Sequence, residues 1–250
     1  MRHLLLILLL AISTAASAQQ FLLPAAGSVQ GANGTFFRSD VAIWNYRPEP
    51  QKIVMRWMPQ GRTGVGIPPV EITIPPYSGI QDPDFAANVM HQQGTLGAIF
   101  FQAVRADGTL DPNQRLSIQS RIYTPQADSR GHASQSFDAI RISQIAGENR
   151  VITNQRNDFR YRMNVGIVNL DADETHTWQL VSDNSTTPIT VPPFSMHQVS
   201  IPRFDNDTTV PLVRILGNGG GQTTWVAYGS SVDNVSGDGW TSLAYPAQLP

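Results

Sequence analysis

Apolar and polar residues alternate with a period of two over much of the chain. Ile118, Ser120 and Ile122, for example, alternate with more polar neighbours, and residues 53–58 and 99–104 are further apolar strand candidates. Turn-forming proline, glycine and asparagine residues separate these segments. Because a period of two places successive side chains on opposite faces of a strand, the pattern predicts antiparallel sheets with one face toward solvent.

A long internal repeat adds to this picture. The segment FRSDVAIWN at residues 37–45 returns as YRMNVGIVN at residues 161–169, and ITIPPYS at residues 72–78 returns as ITVPPFS at residues 189–195. A repeat of this length indicates two copies of one fold. The first copy is the longer one, and loops are where such insertions belong.

The repeat and the strand pattern together predict the architecture. About seven short strands per copy, separated by turn signals, are typical of an immunoglobulin-like sandwich. The fold class is therefore all-β, with two tandem immunoglobulin-like antiparallel β-sandwiches at residues 19–138 and 139–250. The one helix candidate is short and covers residues 84–92, with Asp82 and Pro83 as its start.

The first eighteen residues have the pattern of a secretory signal peptide. A basic start at Arg2 precedes an apolar run over residues 4–12 and the small-residue exit Ala16-Ser17-Ala18. The run is too short for a membrane span, which needs about 20 apolar residues. We expect cleavage after Ala18 and an exported product in the periplasm or outside the cell, which the mass of the mature chain would check. An uncleaved anchor is the alternative.

Composition excludes several classes of function. The chain contains no cysteine, so disulfides, thiol nucleophiles and thiolate metal sites are ruled out, and each sandwich must be stable through its apolar core. The formal net charge of −2 gives no basic surface for nucleic acid. Lys52 is the only lysine, which argues against chemistry that depends on a lysine amine.

The opening and closing segments resemble a recurrent module of exported bacterial proteins. Residues 31–40 read GANGTFFRSD and lead into a strand that ends at Asn45, and residues 231–238 read SVDNVSGD. The modules of that family pair a similar opening with a Pro-Pro corner and a closing hairpin of the second kind. The resemblance implies an immunoglobulin-like sandwich in surface or secreted proteins without assigned activity. The first copy departs from it at residues 124–129, where TPQADS replaces the closing hairpin.

No motif for catalysis is present. The chain lacks the Gly-x-Ser-x-Gly and Ser-x-x-Lys patterns of serine nucleophiles and the His-Glu-x-x-His pattern of zinc hydrolases. The histidines do not recur between the copies, and the glycine-rich residues 217–221 lack the following lysine of a phosphate loop. A triad formed by distant residues would still be compatible with the sequence.

Acidic turns are the candidates for a cation. Asp171, Asp173 and Glu174 form the best calcium candidate, because calcium prefers several oxygen ligands from one loop. Residues 205–207 and 107–113 are weaker candidates. Aspartate is also common in turns, where its side chain bonds to the nearby backbone. No other cofactor is expected.

Aromatic residues at strand ends and turns are the candidates for ligand contact. Trp44 and Tyr46 lie at the end of a predicted strand, and Trp240 lies in the final hairpin. Exposed aromatic side chains can bind sugars or peptides, whereas aromatic residues in strands more often pack in the core.

Several polar residues recur at the same motif positions and are interpreted as structural. An arginine fork can bind loop carbonyls or a neighbouring acid, and an asparagine can end a strand. This set comprises Arg38, Asp40 and Asn45 in the first copy and Arg162, Asn164 and Asn169 in the second.

The leading hypothesis is a non-catalytic exported interaction, adhesion or scaffold protein. Its partner would be a protein or a surface glycan, with no nucleic acid and no membrane span after signal cleavage. The alternative is a glycan- or small-ligand-binding module that uses Trp44 and Trp240. A hydrolase is a remote alternative, because sandwiches host many functions.

Overall fold

The computed structural model describes residues 20–31, 34–126, 131–144, 149–182, 185–204, 212–217 and 224–247. The chain is built almost entirely of β-strands. In the N-terminal part these are β1 (Gln20–Gln30), β2 (Phe36–Asn45), β3 (Gln51–Pro59), β4 (Val70–Ile74), β5 (Ser78–Asp82), β6 (Thr95–Val104), β7 (Leu116–Pro125), β8 (His132–Asp138) and β9 (Ile140–Arg141). In the C-terminal part they are β10 (Arg150–Ile152), β11 (Tyr161–Asn169), β12 (His176–Ser182), β13 (Ser185–Val191), β14 (Ser195–Ser200), β15 (Val213–Gly217), β16 (Trp225–Asp233), β17 (Gly239–Leu243) and β18 (Tyr245–Pro246).

The strands of the N-terminal part form one connected sheet that folds over itself. Its order is β4-β3-β6-β1-β2-β7-β8, with β5 paired to β2 and β9 paired to β1. The long β1 joins the two layers, because it pairs with β6 up to Ser28 and then with β2 from Ser28 to Gln30. The register of β1 shifts between Leu23 and Ala26, as expected where a bulge bends a strand.

The strands of the C-terminal part form two separate antiparallel sheets. One has the order β13-β12-β15-β10-β18 and the other the order β14-β11-β16-β17. Apolar side chains from both sheets pack between them, among them Met163, Ile167, Trp178, Ile215 and Trp225. The prediction of an all-β fold with antiparallel sheets is confirmed.

The alternation seen in the sequence corresponds to burial in the structure. Along β7 the side chains of Leu116, Ile118 and Ile122 are buried, while Gln119 and Arg121 between them are exposed. This strand therefore has one face on the core and one toward solvent, as the period of two predicts.

Strand β16 departs from this rule, because all nine of its residues are buried. Trp225 and Ala227 belong to the core of the C-terminal part. Val226 and Tyr228 point to the other face and join the apolar cluster of the N-terminal part, together with Val168 and Met196. The sheet that contains β16 is thus covered on both faces.

A loop after β3 also contacts the C-terminal part. Gln60 forms an isolated parallel bridge with Met196, and the Gly61 N–H donates to the carbonyl of Met196 at 2.8 Å. The Gly64 N–H donates to the carbonyl of Phe194 at 3.1 Å, and the Phe194 ring packs edge-on against Phe100 with centroids 5.6 Å apart. We call residues 60–64 the docking loop.

The predicted helix is present but shorter than expected. The helix α1 covers Phe85–Asn88, and the side chain of its first residue, Phe85, is buried. The side chain of Asp82 accepts a hydrogen bond from the Asp84 N–H at 2.7 Å, which fits its predicted place at the start. Among the described residues, no helix has the length and apolar character needed to cross a membrane.

Some of the predicted features lie outside the described residues. These are the signal peptide at residues 1–18, residues 218–221 of the glycine-rich segment, and the acidic turn at residues 205–207.

The packing of Tyr228 generates a testable prediction. Gly166 pairs with Tyr228 across β11 and β16, and a Cβ atom on Gly166 would lie 2.2 Å from Cζ of Tyr228. Because the tyrosine is held between the two parts, it cannot move aside, and we expect Gly166→Ala to lower the free energy of unfolding by about 2–3 kcal/mol.

Gly217→Ala is the matched control, since its Cβ would meet only ordinary contacts at 3.9 Å. Urea denaturation of the two variants and the parent measures the difference. Equal stability of the two variants would contradict the packing described for Tyr228.

Candidate functional site

The end of β2 is held by one buried side chain. Asn45 is fully buried, and its Nδ2 donates to the carbonyls of Glu49 at 2.8 Å and Pro75 at 3.1 Å. Its Oδ1 accepts from the Arg47 N–H at 3.0 Å. One amide group therefore joins the strand end, the loop after it and the Pro-Pro corner.

The end of β11 repeats this arrangement with different loop residues. Asn169 is also fully buried and donates to the carbonyls of Glu174 at 2.9 Å and Pro192 at 3.0 Å. Its Oδ1 accepts from the Asp171 N–H at 3.0 Å. The two asparagines make the same set of bonds, so they fix the same local backbone in each part.

The residue after each Pro-Pro pair has a left-handed backbone. Tyr77 has φ of 47° and Phe194 has φ of 46°, which is uncommon for residues with a bulky side chain. Hydrogen bonds hold both: the Tyr77 N–H donates to the Arg47 carbonyl at 3.0 Å, and the Phe194 N–H donates to the Asp171 carbonyl at 2.6 Å. The two corners therefore have the same left-handed residue, held by the same kind of bond to the loop after the preceding strand.

Three aromatic side chains are exposed at the corner of the N-terminal part. Trp44 is 43%, Tyr46 54% and Tyr77 64% exposed. The rings of Trp44 and Tyr46 have centroids 6.3 Å apart. Trp44 lies over Gly79 of the neighbouring β5, where a Cβ atom would come within 2.5 Å of the indole. We call Trp44, Tyr46 and Tyr77 the aromatic corner.

A polar cleft of about 470 Å³ lies beside the aromatic corner. Arg47 and Glu49 line one wall, and Asn113 and Arg115 are on the opposite loop. The Tyr46 N–H donates to the carbonyl of Arg115 at 2.9 Å, which joins the cleft to the corner. The sequence pattern indicates Trp44 and Tyr46 but not these cleft residues, because the proximity of the cleft residues depends on the pairing of β2 with β7.

Arg47 is fixed in the cleft by three polar partners. Its guanidinium binds the carboxylate of Asp111, Oε1 of Gln51 at 3.0 Å and Oε2 of Glu49 at 3.2 Å. Burial of Asp111 opposes its ionisation, but hydrogen bonds from the Asn113 N–H and from Arg47 outweigh burial and lower its pKa. The cleft therefore contains charged groups whose positions are set before any ligand binds.

Trp240 does not belong to this group. It lies on β17, where its Nε1 donates to the carbonyl of Asn154 at 2.6 Å. Its ring packs edge-on against Tyr161 with centroids 5.6 Å apart. The contacts of the Trp240 indole therefore lie within the C-terminal part, and the aromatic neighbour of Trp44 is Tyr46.

The calcium candidate has a different composition from the one expected. Oδ1 of Asp171 accepts from the N–H groups of Asp173 at 2.9 Å and Glu174 at 3.1 Å. Oδ2 of Asp171 lies 3.0 Å from Nε2 of His176. The side chains that come together are Asp171, Glu174 and His176, with ligand-type atoms within 4.8 Å of one another. The Asp173 carboxylate is not part of this group. One nitrogen with two carboxylates is a donor set more typical of zinc than of calcium.

The repeated arginines have different partners in the two parts. Nε of Arg38 lies 3.4 Å from the carboxylate of Asp84, whereas Nη1 of Arg162 donates to Oδ1 of Asn234 at 2.8 Å. Burial lowers the pKa of Arg162. Each arginine binds a neighbouring loop, so the shared motif position does not define one shared contact.

The acidic and amide residues two positions later also differ. Asp40 accepts from Nε2 of Gln81 at 2.8 Å and pairs with Arg121 at 3.3 Å. Asn164 accepts from the hydroxyl of Ser200 at 2.7 Å. All of these contacts lie on the outward face of their sheets.

Comparison of the sequence with models of known protein families finds no match, and comparison with curated proteins likewise finds none.

The buried asparagines generate a prediction. Asn169→Ala would leave buried carbonyls and the Asp171 N–H without partners, and we expect the free energy of unfolding to fall by about 2–4 kcal/mol. Asn164→Ala is the control, because Asn164 is partly exposed and makes the bond to Ser200. Urea denaturation measures both, and an equal loss in the two variants would refute the role of the buried amide.

The Asp171–His176 pair generates a prediction about pH. The hydrogen bond from His176 and those from the backbone lower the pKa of Asp171. An aspartate carboxyl in the unfolded chain has a pKa of about 3.9. The hydrogen-bonded Asp171 carboxylate therefore contributes to stability above that pH, and this contribution is lost as the pH falls through the pKa of the folded state. We expect Asp171→Asn to lose less stability than the parent between about pH 5 and pH 2.

Urea denaturation at several pH values measures how the free energy of unfolding changes with pH in the parent and in Asp171→Asn. Asp173→Asn is the control and should keep the slope of the parent, since its carboxylate makes none of these bonds. A parental slope in Asp171→Asn would show that the pair does not contribute.

Proposed function

We propose that this protein is a non-catalytic exported interaction protein composed of two copies of one sandwich module. The strand order supports the duplication. β4-β3-β6-β1-β9 in the N-terminal part corresponds to β13-β12-β15-β10-β18 in the C-terminal part, and β5-β2-β7-β8 corresponds to β14-β11-β16-β17. In this proposal β9 belongs to the first module, because it pairs with β1.

The registers support the same correspondence residue by residue. Trp44 pairs with Gly79 and Asn45 with Ser78 in the first module. Val168 pairs with Met196 and Asn169 with Ser195 in the second. The corner positions of the two modules can therefore be compared directly.

The observation that carries the proposal is the difference between these two corners. In the second module Val168, Leu170 and Phe194 pack against the apolar cluster of the first. In the first module the corresponding residues Trp44, Tyr46 and Tyr77 are exposed. The corner of the second module thus packs against the first module, whereas the same corner of the first module exposes aromatic side chains. Such an exposed aromatic surface is suited to binding another molecule.

The N-terminal sequence supports the exported setting in this proposal. A signal peptide cleaved after Ala18 would deliver the chain to the periplasm or the cell exterior. There the aromatic corner would meet envelope or surface components.

The proposal is tested by binding of the labelled mature chain, from Gln19 onward, to the envelope and surface material of the producing cells. We expect saturable binding that falls at least 10-fold in the double variant Trp44→Ala/Tyr46→Ala. Phe159→Ala is the matched control, because Phe159 is an exposed aromatic residue in the other module and should have no effect. Absence of saturable binding, or binding that the double variant retains, would refute the proposal.

A further inference from the structure

We infer that the aromatic corner and its cleft form a binding site for a neutral glycan. This inference rests on the proposed function and adds the class of ligand. Three properties of the site carry it: a supported aromatic surface, a polar cleft with balanced charge, and a geometry that does not suit a second copy of the chain.

The aromatic surface is supported from below. Trp44 covers Gly79, so that the polypeptide fills one side of the indole while 43% of the side chain stays exposed. Any side chain at residue 79 would displace the ring. A pyranose has an apolar face of C–H groups, which packs on an exposed aromatic ring, and a polar rim of hydroxyl groups.

The corner also carries hydroxyl groups next to its rings. Tyr46 Oη lies 3.4 Å from Oγ of Ser117 on the paired strand. Tyr77 is exposed and carries a hydroxyl group, whereas Phe194 at the matching position of the second module has none. Amphipathic rings of this kind suit a surface that is wet when free and binds reversibly.

The cleft supplies polar partners for sugar hydroxyls. Arg47 and Arg115 offer N–H donors, Glu49 offers a carboxylate, and Asn113 offers both a donor and an acceptor. Arg47 is already held by Glu49 and Asp111, so little ordering of that side chain is required on binding. The volume of about 470 Å³ is within the range of small-ligand sites.

The charges of the cleft favour a neutral ligand. Glu49 and Asp111 both pair with Arg47, so that together with Arg115 these four groups carry no net formal charge. An anionic polymer would find no excess of positive charge here, and a cation no excess of negative charge.

A second copy of the chain is a poor occupant of this surface. The second module is held by the docking loop, which lies in the long connection between β3 and β4. The corresponding connection in the second module is the hairpin from Ser182 to Ser185. In another copy the docking loop is already bound to that copy's own second module, and the second module has only this hairpin, so no free equivalent loop is left to bind the aromatic corner of its neighbour.

The experiment is a titration of the mature chain with soluble oligosaccharides, followed by tryptophan fluorescence and by calorimetry. The neutral probes are cello-, malto-, xylo- and chito-oligosaccharides, and the anionic probes are oligogalacturonate and oligoalginate. We expect at least one neutral series to bind, with an affinity that changes less than twofold between 50 mM and 500 mM salt, since no charge is neutralised.

Variants locate the site. Trp44→Ala should weaken binding at least 10-fold, Trp44→Phe should retain part of it because a ring is kept, and Arg115→Ala should weaken it severalfold. Phe159→Ala is the control and should bind like the parent. Unchanged far-UV circular dichroism and melting temperature confirm that each variant is folded.

Four results with the purified chain would overturn the inference. They are binding of no neutral series, binding that Trp44→Ala retains, binding of the anionic probes alone with strong salt dependence, and self-association of the chain that Trp44→Ala abolishes. Envelope binding that depends on Trp44 but survives periodate oxidation of the sugars would show that the ligand is not a glycan, and it would leave the proposed function intact.

Discussion

The backbone at each strand-end corner depends on one buried amide side chain. Asn45 and Asn169 each satisfy carbonyls on two different segments and one N–H group of the following loop. Since a buried polar group without a partner is costly, the loop has few other conformations. The asparagine fixes the loop beside the strand, and the N–H group of the left-handed residue, Tyr77 or Phe194, donates in turn to a carbonyl of that loop. What differs between the two corners is therefore the side chains that the same backbone presents.

Those side chains relate differently to the rest of the molecule. In the C-terminal part they are aliphatic or phenyl groups that join the apolar cluster of the N-terminal part, together with Val226 and Tyr228 of β16. In the N-terminal part they are indole and phenol groups with one side toward solvent. Aliphatic groups suit a permanent contact, whereas amphipathic rings tolerate water when no partner is bound.

The sequence was sufficient to predict an all-β fold and the turns that end two of its strands, but it did not predict β1, the strand that joins the two layers of the N-terminal part. Alternation at Ile118 and Ile122 gave the buried face of β7, and the repeated asparagines marked the turns that end β2 and β11. It could not predict that both faces of β16 are covered, because the second face is buried by residues far away in the chain. For the same reason it grouped Trp240 with Trp44 and left out His176 and the cleft arginines, whose neighbours are set by strand pairing and not by local pattern.

The apolar cluster shared by the two parts has a consequence for any shortened form of the protein. Val168, Met196, Val226 and Tyr228 belong to this cluster, in which Tyr228 packs edge-on against Phe137 and Phe194 packs edge-on against Phe100. A fragment ending before β10 would leave the N-terminal side of this cluster open to water, and open apolar sheet surfaces promote aggregation. A fragment that carries Trp44 and its neighbours would therefore need the C-terminal residues to avoid aggregation, although none of those residues belongs to the aromatic corner.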